Sequence, residues 1–133
     1  MKFFFDRNIS KYITRMLDAY DTKHTVIHQD DDARFVATDD DVHLITTVAS
    51  ESPKPVWVTA DISQGRVAEE RSALASSGMH VVFFKRFHKD PHTQAMKALA
   101  CWPAICDRCA NARPPTGFEV PAAPLKGGKV DRV

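Results

Sequence analysis

Two carboxylates stand where apolar runs stop. Asp6 follows Phe3-Phe4-Phe5, and Asp61 follows Val56-Trp57-Val58-Thr59-Ala60. A continuous run of β-branched and aromatic residues is the pattern of a strand buried on both faces of a parallel sheet. A residue that ends such a strand lies at the carboxyl edge, where open α/β sheets bind their ligands. A third supply of carboxylates, Asp39-Asp40-Asp41, precedes Val42, Leu44, Ile45 and Val48 and so falls at a helix start. Brought to one edge, these oxygens suit a hard divalent ion such as Mg²⁺ or Mn²⁺, which takes one or two protein carboxylates beside water and substrate phosphate. An ion held in this way supports phosphodiester hydrolysis without a side-chain nucleophile.

Each acid also has an ordinary structural explanation. Asp is a common turn and cap residue, and position alone makes the 39–41 run a capped, solvated helix start. Asp30-Asp31-Asp32 is expected to be a solvated loop. What singles out Asp6 and Asp61 is repetition, an apolar strand closed by Asp at two places.

The elements that must position these residues follow from periodicity. Asn8-Ile9-Ser10 opens a helix carried by Ile9, Ile13, Met16, Leu17 and Tyr20, with Asn and Ser as capping types. Residues 24–28 form a second strand, and strand–helix–strand makes the first two strands parallel. The polar stretch from Gln29 ends in a helix cap at Thr38 or Asp39, with Asp40 and Asp41 in the first turn and the helix running to about Ala49. Residues 50–55 break it, and residues 56–60 are the third strand. Gln64 or Gly65 opens a helix through Val67, Ala68, Arg71, Leu74 and Ala75, closed by Gly78 as the residue past its end. Residues 79–84 are the fourth strand. Pro91 suits the first position of a helix through Met96, Leu99, Ala100 and Ile105 toward residue 110. Residues 111–133 hold four of the eight prolines and three of the five glycines. They read as a mobile tail, with a short edge strand at 117–120. The expectation is one three-layer α/β/α domain over residues 1–110, with a central, mainly parallel sheet of four or five strands, and a tail over 111–133.

Composition narrows the function classes. A chain of 133 residues holds one domain, and 44% hydrophobic with 26% charged residues is ordinary for a globular core. Lys and Arg number 18 against 17 Asp and Glu, so the net charge of +1 exerts no global pull on nucleic acid or membrane. No run approaches the roughly 18 apolar residues of a membrane span, and the apolar N-terminal run is too short for a signal peptide. The expected location is the cytoplasm. Local attraction is another matter: Lys85-Arg86-Phe87-His88-Lys89 follows the fourth strand at the edge that carries Asp6 and Asp61. Lys85, Arg86, His88 and Lys89 are candidate phosphate contacts, with Arg7 and Arg66 behind them, and such contacts position a nucleic acid rather than read its sequence. The plain alternative is a solvated basic run.

Cys101, Cys106 and Cys109, an odd number, fit reduced thiols better than disulfides. With His88 and His92 they sketch a zinc set, but a structural zinc site needs four ligands, usually as two close pairs. Only one Cys-x-x-Cys is present and it falls within a helix, so buried or incidental cysteines are the better reading. Trp57 and Trp102 read as core.

Phe3-Phe4-Phe5-Asp6-Arg7-Asn8-Ile9-Ser10 resembles the opening of PIN-like domains, particularly the VapC45-like toxin group. Asp41-Val42-His43-Leu44-Ile45, Val58-Thr59-Ala60-Asp61, Val82-Phe83-Phe84-Lys85 and Trp102-Pro103-Ala104-Ile105 are similar to that group's pattern, in order and spacing, over about residues 2 to 107. The resemblance implies a PIN-like fold and a metal-dependent endoribonuclease of a toxin–antitoxin pair. It implies Asp6, Asp41 and Asp61 as the Mg²⁺ or Mn²⁺ carboxylates and favours Asp41 within its run. RNA as substrate, a cognate antitoxin and a homodimer are the implied partners. Ser63 stands where such proteins often carry a further acid or polar group; its hydroxyl can hold a water but adds no charge. Asn8 is a candidate supporting partner of the acids, or simply a helix cap.

Two rivals come from other classes. A receiver domain also places an Asp after its first and third strands, with Asp61 as phospho-acceptor and Lys85 as partner. Against it, Asp6 is followed by Arg7 rather than a second acid, and no fifth strand is evident. The other rival is a catalytically inactive PIN-like module that binds a partner, favoured by the missing acid at Ser63.

Overall fold

The structure is a computed structural model that describes residues 1–60, 67–87, 90–121 and 130–132, with the backbone alone for 67–69. Strands β1 (Lys2–Phe5), β2 (Thr25–His28), β3 (Val56–Ala60), β4 (Val81–Phe84), β5 (Gly117–Val120) and β6 (Asp131–Arg132) alternate with helices α1 (Lys11–Tyr20), α2 (Asp41–Ala49), α3 (Val67–Ser76) and α4 (Pro91–Ala110). The sheet order is β2-β1-β3-β4-β5-β6. The first five strands are mutually parallel and β6 pairs antiparallel with β5.

The apolar runs become strands because each residue has a layer to enter. Phe3 and Phe5 join Val56, Val58, Val82, Phe84 and Phe118 on one face, under Ile13 and Leu17 of α1 and Trp102 and Ile105 of α4. Phe4 and Trp57, one residue out of phase, enter the opposite layer with Leu44, Ile45 and Val48 of α2. This period-two division is why the runs lack polar positions. It makes three layers, as expected.

The sheet is wider than the four or five strands expected. Residues 117–120, read as an edge strand, lie between β4 and β6, and Val130 is buried beside them. Pairing thus draws parts of the 111–133 stretch into the sheet; residues 122–129 lie outside the described residues. The objection that a receiver-type sheet lacks its fifth strand is removed by β5.

Local chemistry sets the helix ends. Ser10 caps α1 by accepting from the Tyr12 N–H at 3.1 Å. Asp40, one residue beyond the expected Asp39, caps α2 by accepting from the His43 N–H at 2.9 Å. Asp40→Ala should cost about 1 kcal/mol, read as a lower denaturation midpoint. Asp90 caps α4 and Pro91 takes its first position. Pro103 lies inside α4; its solvent-facing position lets the carbonyl it leaves unpaired find water. Gly78 has φ +77°, the left-handed conformation expected past a helix end.

The acidic loop is not simply solvated. Arg15 Nε and Nη2 reach Asp31 at 2.9 and 2.6 Å, and Arg34 makes a forked pair with the buried Asp32 at 3.0 and 2.7 Å. Arg34 continues to Glu51 at 2.8 Å, which Lys2 meets at 2.7 Å. Planar guanidinium–carboxylate forks give the loop after β2, including the short 3₁₀ turn Gln29–Asp31, a defined course.

Candidate active site

The strand order reverses between β1 and β3. That is the switch point at which doubly wound sheets open a crevice beyond their carboxyl ends. Asp6 is the first residue past β1, and its N–H still bonds the Val58 carbonyl of β3 at 3.1 Å. A cleft of about 390 Å³ opens there, lined by Asp6, Arg7, Asn8, Gln29 and all three aspartates of the 39–41 run.

Asp6 is 5% exposed. Its Oδ1 accepts from the Asn8 N–H at 3.0 Å and its Oδ2 from the Asn8 amide at 3.4 Å. The same amide donates to the Thr59 hydroxyl at 3.2 Å, and that hydroxyl bonds Asp6. Asn8 and Thr59 therefore hold the carboxylate from two adjacent strands' ends, a positioning role beyond helix capping. Burial raises the Asp6 pKa from 3.8 to about 7. The Thr59 and Asn8 hydrogen bonds oppose this rise, and the nearby charges of Glu70 and Asp41 add to it. No described cation forms an ion pair with Asp6.

The 39–41 run divides its work. Asp39 accepts from the Val36 N–H at 2.7 Å and Asp40 caps α2, so both are engaged with backbone. Asp41 is the first residue of α2, half-buried, and its charge reaches Asp6. Asp6 and Asp41 thus share one cleft. Asp61 and Ser63 lie outside the described residues, as do Arg66, His88 and Lys89.

Glu70, in the first turns of α3, was missed in the sequence. The signal was available: a helix that follows β3 must begin at the carboxyl edge, so an acid in its first turns lies near the crevice, and the charge of Glu70 acts on Asp6. Arg7 is not a free phosphate contact, because its Nε bonds Asp30 at 2.6 Å and its Nη1 the Ala37 carbonyl at 2.9 Å. Its own N–H meets Gln29 Oε1 at 3.3 Å, so Arg7 ties the loop wall of the cleft to β1. His28, buried at the end of β2, lies 2.7 Å from the Ile9 carbonyl through Nε2 and accepts from the Asp30 N–H at 3.0 Å. Burial lowers its pKa, consistent with a neutral ring that donates from Nε2.

Lys85 and Arg86 are exposed past the end of β4. Lys85 Nζ lies 3.9 Å from Glu119, a loose and solvated pair. Arg86 has φ 47°, a conformation that costs a non-glycine residue roughly 1 kcal/mol or more and recurs at functional rims. Phe87 anchors the turn by packing on Phe84 at 4.9 Å.

Acids gathered at the switch point of a doubly wound α/β domain are a donor set of the kind a hard divalent ion takes. A family model described as a PIN-like domain matches residues 1–86, and the chain belongs to that family, whose members are commonly nucleases. No curated protein and no solved structure matches the chain. Membership of the PIN-like family weighs against the receiver reading. Among the described residues no helix is long and apolar enough to cross a membrane.

Proposed function

We propose that the protein is a metal-dependent endoribonuclease of the VapC45-like kind, the toxin of a toxin–antitoxin pair. The observation that carries this reading is Asp6: a buried carboxylate at the sheet's switch point, beside further acids, with no described cation paired to it. A fold that keeps such a group beside Asp41 and Glu70 suits a site completed by a cation, and a set of hard oxygen donors fits Mg²⁺ or Mn²⁺. Asp6, Asp41 and Asp61 would hold the ion. When bound, it would polarise the scissile phosphate and lower the pKa of a water at the site.

The chain's own residues do the rest. Asn8 and Thr59 fix the Asp6 carboxylate so that it need not reorganise as the ion enters. Glu70 brings negative charge that Ser63 does not supply. Lys85, Arg86 and Lys89 hold the RNA backbone by phosphate contacts, which give affinity and register without sequence choice. A cognate antitoxin, a homodimer and a cytoplasmic location belong to the same proposal.

Purified protein should cleave RNA with Mg²⁺ and stop when EDTA is added. Asp61→Asn should abolish cleavage with the circular dichroism spectrum unchanged, and an Asp61→Asn protein as fast as wild type would sink the assignment. A neighbouring small partner that relieves growth arrest on co-expression would support the toxin role.

A further inference from the structure

At the opposite rim of the sheet, three side chains of different chemistry converge. Asp21 caps the end of α1, His24 immediately precedes β2, and Cys106 lies in the second half of α4. Helices in a parallel sheet run back against their strands, so the end of α1 and the start of β2 lie at the amino ends of the strands, away from the Asp6 cleft. His24 Nδ1 lies 2.7 Å from Asp21 Oδ2, Cys106 Sγ lies 3.8 Å from the same oxygen, and the three donor atoms all fall within 4.8 Å of one another.

We propose that Asp21, His24 and Cys106 form a second, structural metal site for a thiophilic divalent ion of the zinc class, independent of the acidic cleft. The donor set decides the ion. One sulfur, one imidazole nitrogen and one carboxylate oxygen suit Zn²⁺ and not Mg²⁺. The spacing is close to what an ion requires: metal bonds of about 2.0–2.3 Å at tetrahedral angles set donors roughly 3.3–3.7 Å apart. The sulfur–oxygen separation of 3.8 Å need close by only about 0.3 Å, and the imidazole need open by about half an ångström, as the ion replaces the proton it shares with Asp21.

The site is supported from behind. Asp21 Oδ1 accepts from the Lys23 and His24 N–H groups at 2.8 and 3.0 Å, which turns Oδ2 toward the other donors. The Trp102 indole N–H donates to Oδ2 at 2.8 Å, the kind of partner that orients ligating carboxylates. The His24 ring stands edge-on to Phe3 at 5.7 Å. The Asp21 and His24 side chains are 9% and 20% exposed, and Cys106 is also half-buried, so an ion can enter and water can fill a fourth position. An ion there would tie the α1–β2 turn to α4.

Titration of chelator-stripped full-length protein with Co²⁺, a coloured stand-in for zinc, tests this. The expected result is one equivalent bound with tetrahedral visible bands and a sulfur-to-cobalt charge-transfer band in the near ultraviolet, distinct from any Co²⁺ that enters the acidic cleft without a sulfur band. Cys106→Ser should abolish the sulfur band, and His24→Gln should weaken binding at least about tenfold. Asp6→Asn and Cys109→Ser should leave both unchanged, and in the Asp6→Asn background, where the acidic cleft is disabled, Zn²⁺ but not Mg²⁺ should raise the melting temperature. No sulfur band, or one that survives Cys106→Ser in folded protein, would overturn the site. If Cys106→Ser does not fold, His24→Gln decides: unaltered Co²⁺ binding in that variant has the same consequence. Because the readout is spectroscopic and Asp6→Asn is silent in it, the outcome is separate from any loss of RNA cleavage.

Discussion

Asp6→Asn should make a protein that cleaves RNA at least about a hundredfold more slowly, the upper scale for losing even a group that supports a metal ligand. At pH 8 without metal it should nonetheless melt higher than wild type. Both effects come from the same burial. A carboxylate whose pKa rises from 3.8 to about 7 in the folded protein is held ionised at pH 8 at a cost of about 4 kcal/mol, at 1.36 kcal/mol per unit. Asn keeps an oxygen for the Asn8 N–H and removes the charge that burial, Glu70 and Asp41 oppose.

The sign follows from linkage. Between about pH 4 and 7 the native protein binds the Asp6 proton and the unfolded chain does not. This group's stabilising contribution is therefore full below pH 4 and declines as pH rises through about 7. The melting-temperature difference between Asp6→Asn and wild type should be near zero at pH 4 and reach at least about 1 kcal/mol equivalent at pH 8. Mg²⁺ should shrink it by stabilising ionised Asp6 in the wild type alone. Thermal melts over pH, with and without Mg²⁺, measure all of this. A variant that melts lower than wild type at pH 8 without metal would contradict the electrostatic account, and one that cleaves at the wild-type rate would contradict the catalytic one.

Trp102→Ala should cost about 3–5 kcal/mol, a large part of the roughly 5–15 kcal/mol that holds a domain together. Trp102 is 2% exposed, its ring lies 4.7 Å from Phe3 and 6.1 Å from Phe5, and its indole N–H meets Asp21. Truncation leaves a cavity between α4 and β1 and also strips a donor from Asp21. Trp102→Phe keeps most of the packing and loses the donor, so it should cost about 1–2 kcal/mol. Urea denaturation should show a lower midpoint at unchanged slope in both. Equal costs for the two variants would mean that the hydrogen bond, not the packing, dominates. Cleavage by Trp102→Phe at a permissive temperature should match wild type, because the residue packs at the rim away from the cleft.

What the sequence by itself determined is the alternation of strands and helices and the placement of acids at strand ends. Period-two and period-3.6 apolar patterns are local properties, as are cap residues such as Ser10 and Asp90 and the glycine at 78. They place Asp6 at the edge of a parallel sheet and Asp41 in the first turn of a helix. The family motifs rest on the same short stretches, and the match over residues 1–86 bears out the PIN-like family they pointed to.

The tertiary structure alone decided which distant residues meet. The strand order, with its reversal between β1 and β3, depends on how helices pack across the sheet; it opens the crevice in front of Asp6. The reach of Glu70 to Asp6 depends on that order, which sets β3 beside β1, as well as on its place at the start of the helix after β3. Residues 117–120 became an interior strand because β6 offered a partner for their free edge. Besides Arg34 within the loop, the acidic loop acquired guanidinium partners from α1 and from Arg7, residues with no periodic relation to it. The Asp21–Cys106 contact spans 85 positions, and no spacing rule among the cysteines points to it. Local sequence encodes local dihedrals and burial, whereas a site is made by the packing that brings separate segments together.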